Sequence, residues 1–298
     1  MELTMGNARL EMGSKYMTEL RDANDILDNV EALRTRLKED GYLLIRGFHD
    51  REEVLSARNG ILQKLNDMGR LDPNFPVEEG VIASGGKSAM FGGPVNSEDV
   101  NMQGFYKLVT QEKVMRFFDR LFGGESMTYD YKWPRAVGNG DFTGAHYDIV
   151  YMGRGTKQVY TMWTPLGDIP YEQGPLAICL GSQHFEHMKS TYGQMDVDRD
   201  NVELGWISKD PIECVDKFGG RWATAPFDAG DVIIFGMFLL HGSVNNITNR
   251  YRLSSDTRYQ LKSEPVDERW VGVKPKGHYA WGKETPKPIE EARKEWKI

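Results

Sequence analysis

Cysteine is nearly missing from this sequence. Its 298 residues include two, Cys179 and Cys214, with no Cys-x-x-Cys spacing. That excludes a disulfide scaffold, and it excludes zinc knuckles or redox pairs built from local motifs. It predicts a protein of a reducing compartment, the cytoplasm. Positive charge is also short. Lys+Arg total 37 against 44 Asp+Glu, a formal net charge of −7, and this balance lacks the basic footprint of a nucleic-acid binder. Long apolar runs are missing as well. The longest nearly unbroken one, Val232 to Leu240, falls far short of the roughly 20 residues a membrane-crossing helix needs. It suits a buried strand. Met1 to Leu10 is polar and carries no apolar h-region, so a secretory signal is not expected. There is no repeat and no low-complexity tract. What remains is ordinary globular material, 40% hydrophobic and 27% charged, enough for a sizeable core.

The pattern along the chain divides it. Ile26, Leu27, Val30, Leu33 and Leu37 fall at helical spacing and predict an amphipathic helix over 24–39. Helices are also expected over 51–67, behind the cap Asp50, and over 111–122, closed by Gly123-Gly124. Tyr42 to Phe48 reads as a buried strand, and 68–101 as a long irregular connection. From about 127 the chain changes to short strands punctuated by Gly, Pro, Asn and Asp: 127–133, 145–151, 157–164, 175–180, 222–227, 231–238 and 250–260. Many short strands at such intervals argue for a sandwich or barrel. Segment 188–220 is polar and aperiodic and reads as an insertion, and a short surface helix is expected at the C-terminus. The expected organisation is one domain, 1–298. It has a helical N-terminal third (24–125), a β-rich core (about 126–262) and a C-terminal extension (263–298).

Chemistry is carried by a few of the six histidines. His146-Tyr147-Asp148 lies on an expected strand, where alternate side chains share a face. That puts an imidazole and a carboxylate side by side, as two neighbouring ligands of one metal ion. His241 ends the apolar strand Val232–Leu240 and is the best third ligand. Two His and one carboxylate on one face of an octahedral ion leave its other positions open, the facial triad of non-haem Fe(II) oxygenases. Read by itself, His-x-Asp is a common chance pattern, and a strand histidine is more often a satisfied polar residue. His184/His187 is a weaker competitor on a surface turn. Beyond His241, an inward Arg252 could take the distal carboxylate of a dicarboxylic cosubstrate in its bidentate fork, with Ser243 adding a hydroxyl. Arg250 and Arg258 share its parity and compete for the inward place.

The stretch PFDAGDVIIFGMFLLHGSVNNITNRYR resembles the last-strands signature of the phytanoyl-CoA hydroxylase-like family of Fe(II)/2-oxoglutarate dioxygenases. After the Gly-Asp turn and apolar strand, His241, Ser243, Asn246, Thr248 and Arg252 match it place by place. HYD resembles the family's His-x-Asp. Leu180-Gly-Ser-Gln-His184 resembles its Pro-Gly-Ser-His turn, with Leu for Pro and an inserted Gln, and KEDGYLLIRGF its N-terminal entry strand. The similarity spans about 36–262. Trp163-Thr-Pro-Leu166 and Asp256-Thr-Arg258 further resemble bacterial terpenoid hydroxylases of the pentalenolactone-pathway type.

The resemblance implies a mainly β fold with flanking helices, a double-stranded β-helix (jelly-roll, cupin-like) core. It implies Fe(II) held by His146, Asp148 and His241, and 2-oxoglutarate held by Arg252 and Ser243. Trp163 would lie beside the cosubstrate and Gln103 near it, with O2 as the oxidant. The reaction implied is hydroxylation of a small molecule with release of succinate and CO2. The carboxylate of Asp148 argues against halogenation, because halogenating relatives lack it. The rivals are a cupin-like metal-dependent isomerase or lyase, which needs neither Arg252 nor Ser243, and a non-enzymatic jelly-roll binding module. Tyr129, Tyr131, Trp133 and Tyr151 are candidate pocket aromatics. Lys132 and Arg135 either meet an anionic substrate or lie on the surface. The long connections 68–101 and 188–220 are expected to act as lids. Nucleic acid and membrane are not expected partners, and the sequence leaves the oligomeric state open.

Overall fold

The computed structural model describes residues 1–94, 98–280 and 285–298. Its strands are β1 (Glu2–Met5), β2 (Ala8–Glu11), β3 (Met17–Glu19), β4 (Tyr42–Ile45), β5 (Ala89–Met90), β6 (Gly93–Pro94), β7 (Ser126–Thr128), β8 (Tyr131–Val137), β9 (Tyr160–Pro165), β10 (Leu176–Leu180), β11 (Arg221–Thr224), β12 (Val232–Gly236), β13 (His241–Ser243) and β14 (Arg252–Leu261). Two sheets build the core. The larger runs β4-β12-β9-β14-β8-β5, with β6 also pairing β8 and β7 pairing β14, and the smaller runs β13-β10-β11-β3. This is the expected jelly-roll. Ile178, Ala223, Ile233, Phe235 and Trp163 fill the space between the sheets.

The helices follow local chemistry. In α1 (Val30–Asp40) the Asn29 side chain accepts from Ala32 N–H, and Gly41, at φ +83°, ends the helix in the left-handed region. In α2 (Arg51–Asp67) Asp50 accepts from the Glu52 and Glu53 N–H groups. Its face Val54, Ala57, Ile61, Leu62 and Leu65 packs on α3 (Gln103–Thr110) through Phe105, Leu108 and Val109. Val114, Phe117, Phe118 and Leu121 of α4 (Glu112–Phe122) cover the outer face of the large sheet, where Phe118 stacks on Tyr259 at 4.0 Å.

Two expectations need correction. Residues 145–151 do not form a strand. Only Ala145 and His146 make β-bridges, and Ile149–Met152 is a short helix, α5. Ile149, Val150 and Met152 are buried there as one turn of helix, so the β-branched character of Ile149 and Val150 misleads. Segment 188–220 is not irregular. Within or beside it lie α6 (Glu186–Ser190), α7 (Val197–Asp200) and α8 (Pro211–Asp216), anchored by buried Tyr192, Met195, Val197, Ile207 and Cys214. The C-terminal helix is α9 (Ile289–Trp296).

Candidate metal and cosubstrate site

Alternation along three neighbouring strands supplies the floor of the site. On β14, Arg252, Ser254, Asp256 and Arg258 share a face; on β9, Thr161 and Trp163; on β8, Trp133 and Arg135. Register sets them abreast: Arg258 lies opposite Thr161, and Asp256 opposite both Trp163 and Trp133.

His146 and His241 face each other across a bridge in which each backbone N–H donates to the other's carbonyl, at 3.0 and 3.1 Å. The Nδ1 of His146 lies 2.8 Å from Gly144 O, and that of His241 lies 2.9 Å from Leu239 O. A carbonyl only accepts, so each Nδ1 carries the proton and each Nε2 keeps its lone pair for a ligand. Both Nε2 atoms point at Asp148 Oδ1, at 3.9 and 3.8 Å. The three ligand atoms lie within 4.8 Å of one another, the one such cluster of His, Cys, Asp and Glu found among the described residues. His184 and His187 stay on the surface outside it.

Asp148 reaches the cluster from the start of α5, not from a strand. Its orientation is fixed from two sides. Arg258 Nη2 donates to Oδ1 at 3.0 Å, and the Thr161 hydroxyl donates to Oδ2. Burial alone would raise the Asp148 pKa, but Arg258, His241 and His146 hold it well below the usual carboxylate range. Burial, helped by His241, pushes His146 down to about 3. The cluster therefore presents neutral imidazole beside an ionised carboxylate, the protonation states that bind a divalent cation.

Beside the triad a narrow pocket is lined by Trp163, Leu176, Ser243, Arg252 and Arg135. Arg252 is 2% exposed. Its Nη1 donates to Ser254 Oγ at 3.1 Å, and its Nε has no partner. Burial lowers its pKa to about 10. Asp256, the nearby carboxylate, is taken by Arg135. The Arg252 guanidinium lies 5.9 Å from the Trp163 ring centroid. Ser243 Oγ accepts from Thr143 N–H at 2.9 Å and keeps its own proton for a further acceptor. Of the three arginines on this side, Arg250 is exposed and paired with Glu79, Arg258 is spent on Asp148, and Arg252 faces the pocket. Asn246 and Thr248 turn out to be structural. The Asn246 amide donates to Val137 O and Arg250 O and accepts from Thr248, which holds the turn that starts β14 at Arg252. Gln103 lies exposed on the first turn of α3 and is not among the residues lining this pocket.

A larger cavity of about 490 Å³ opens on the other side of His146 and Asp148. Tyr131, Trp133 and Tyr151 line it, and Tyr129 does not, being fully buried in the core. Arg135 faces it, while Lys132 turns away to donate to Thr128 and Tyr129. Leu204 and Trp206 of the 188–220 segment, and Trp270 and His278 of the C-terminal extension, complete the wall. Trp270 and His278 were outside the residues that sequence reasoning could connect to the site, because no periodicity links an extension to a barrel mouth.

A jelly-roll with a two-histidine, one-carboxylate cluster at its mouth is the architecture of a metal-dependent oxygenase. The phytanoyl-CoA dioxygenase family matches residues 37–254, and the chain belongs to that family. It is an Fe(II)- and 2-oxoglutarate-dependent dioxygenase, a hydroxylase of a small molecule. It is similar to the 1-deoxypentalenic acid 11-beta-hydroxylase of Streptomyces exfoliatus, 27% identical over 263 residues, covering 83% of this chain and 87% of that one. The Streptomyces arenae enzyme of the same name is 29% identical over 262 residues, covering 83% and 86%. In fold it resembles EctD from S. alaskensis, solved with 2-oxoglutarate and 5-hydroxyectoine, at TM-score 0.56 and 16% identity over 97% of this chain and 95% of that one. No helix among the described residues is long and apolar enough to cross a membrane.

Proposed function

We propose that His146, Asp148 and His241 hold the iron, that Arg252 and Ser243 hold 2-oxoglutarate, and that the chain hydroxylates a small, largely apolar metabolite of the terpenoid kind. The observation that carries this reading is Arg252. A buried guanidinium with an unpaired Nε, opening onto the same pocket as three metal-ligand atoms, is costly unless an anion completes it. A dicarboxylate that reaches from the metal to Arg252 supplies that anion, and a cupin-like isomerase would have no use for it. The residues fit the absent groups on chemical grounds. The donor set is neutral nitrogen and carboxylate oxygen, and Ser243 has a free hydroxyl proton beside Arg252.

When bound, the iron and 2-oxoglutarate would let O2 act as the oxidant, with 2-oxoglutarate itself oxidised to succinate and CO2. The chain's own residues do the rest. The Gly144 and Leu239 carbonyls hold the imidazole tautomers, and Arg258 with Thr161 holds the Asp148 carboxylate in place. Trp163 packs against Phe227 at 4.8 Å and walls the cosubstrate pocket. The aromatic cavity beyond orients the substrate and excludes water. The terpenoid assignment is supported by the 1-deoxypentalenic acid hydroxylases and by the apolar wall. We take 1–298 to act as a single domain, since the N-terminal strands and α9 pack on one core cluster, and place it in the cytoplasm on its two buried, unpaired cysteines. Anaerobic titration of 2-oxoglutarate into the Fe(II) protein should raise a metal-to-ligand charge-transfer band, and aerobic incubation should yield succinate only with Fe(II). Metal binding with no such band would favour the isomerase, and no metal binding a simple binding module.

A further inference from the structure

We propose that Tyr151 is a second substrate of this site: with no metabolite in the cavity, the chain hydroxylates its own Tyr151 ring beside the phenol hydroxyl and turns it into a catechol. This rests on the oxygenase reading and adds to it a modification site within the chain. Tyr151 lies one turn of α5 beyond Asp148, and its backbone N–H donates to the Asp148 carbonyl at 3.0 Å. That turn carries the ring back beside the metal ligands. Its centroid is 5.5 Å from that of the His146 ring, edge to face, and it lines the large cavity together with His146 and Asp148. The phenol hydroxyl donates to Leu204 O at 2.7 Å, which holds the ring in this position. Gly205 packs on one flank of it, so closely that a Cβ there would stand 2.9 Å from Cε1. The Cε1 edge is thus covered, and Cε2 is the carbon next to the phenol oxygen that remains open to attack.

Among the described residues, Tyr151 is the one aromatic ring that both packs on a ligand imidazole and lines the large cavity. Phe235 packs on the His241 ring at 4.5 Å, but it is fully buried between the sheets and lines neither pocket. Trp133 faces the cavity but is sheathed by Arg258 at 4.7 Å and by Tyr131 and Trp270 at 4.9 Å each. Trp163 lies on the cosubstrate side. Proximity decides what an oxidising site attacks. A metabolite in the cavity is the nearest target; in its absence the nearest is Tyr151, a ring made electron-rich by its own oxygen. The step balances. One atom of O2 enters the ring as a C–O bond replaces a C–H bond, the ring proton leaving to solvent and the new oxygen taking one up. The other atom enters succinate as 2-oxoglutarate loses CO2. Ring and 2-oxoglutarate each give up two electrons, and O2 takes four. Turnover without a metabolite therefore marks the chain that performed it.

The test incubates the full chain with Fe(II), 2-oxoglutarate and isotope-labelled O2, with no metabolite added, then unfolds, digests and maps it by mass spectrometry. One labelled oxygen is expected on the ring of Tyr151, and the label should fall to background without 2-oxoglutarate. A redox-cycling stain for catechols should colour the unfolded wild-type chain and not Tyr151→Phe, whose ring starts one hydroxyl short. Label confined to Met90 or Met152, the oxidisable sulfurs of the same wall, would overturn the proposal. So would label on a different ring, or label that needs no 2-oxoglutarate, which is the mark of stray metal-catalysed oxidation. The charge-transfer band and succinate separate the two claims. If 2-oxoglutarate raises no band, the oxygenase reading fails; if band and succinate both appear and Tyr151 stays unlabelled, the Tyr151 assignment alone fails.

Discussion

At the scale of single residues, the site contains two buried arginines with opposite consequences. Arg258 has its carboxylate in Asp148, and on the reading proposed above Arg252 takes that of the cosubstrate. His146→Ala and His241→Ala should each abolish tight iron binding with little loss of fold, because two facial ligands hold a divalent ion poorly. Asp148→Ala should also lose iron, but it leaves Arg258, 3% exposed, without its partner. Breaking a buried pair costs about 3–5 kcal/mol, so this variant alone should show a marked drop in denaturation midpoint beside its empty metal analysis. Equal stability across the three would mean that Arg258 gains nothing from Asp148. Arg252→Ala should leave iron binding intact and weaken 2-oxoglutarate by about 10²–10³. Arg252→Lys should recover part of this, since an ammonium cannot reproduce the fork. Arg250→Ala should change nothing, its guanidinium being outside on Glu79. Charge-transfer titration of each variant reads all three outcomes.

At the scale of elements, the cavity wall is held by a clasp. Arg269 is 1% exposed and donates to Asp267 and Asp198 and, at 3.4 Å, to Asp196, while Arg154 also binds Asp196. This network ties the extension bearing Trp270 and His278 to α7. Burial alone would raise the Asp196 carboxyl, but Arg154 and Arg269 hold it at about 2 against an ordinary 3.8. A folded pKa below the unfolded one gives stability that is present above about pH 4 and is lost as pH falls toward 2. Hydrogen exchange over 266–280 should therefore quicken across that window before the core strands do, and Arg269→Met should produce the same loosening at neutral pH. The elements also show what the sequence could convey. Helix α2 and most core strands were legible because each has an apolar face of fixed period. The Asp148 turn was not: the expectation that His146 and Asp148 converge was right, but the strand alternation behind it was not, since α5 delivers the carboxylate. The β1–β2 hairpin went unread although Leu3 and Met5 alternate with polar residues before Gly6-Asn7, a two-residue turn with Gly6 at φ +59°. Helix α3 was lost beside the long connection despite Phe105, Leu108 and Val109 at helical spacing.

At the scale of the whole molecule, the candidate site was legible because its chemistry sits in short motifs, while its surroundings come from distant chain. The signature from His241 to Arg252 carries both the proposed ligand and the proposed anchor, and Asn246 shows why the spacing matters, since its hydrogen bonds set where β14 begins. The cavity wall joins β8, the 188–220 segment and the extension, and nothing local in sequence announces such a meeting. The reciprocal backbone pairing of His146 with His241 has a mechanical side. The two histidines face each other on one rung that joins segments distant in sequence, so an ion held as proposed by both, and by Asp148 between them, would rivet a seam. Opening the barrel there would have to release the metal first. A ligand that binds only the closed form stabilises it by about 2.7 kcal/mol at one hundred times its dissociation constant. Adding Fe(II) anaerobically should raise the melting temperature and slow unfolding, and a chelator should reverse both. In the His241→Ala protein, where the rivet has lost one head, the same additions should do nothing.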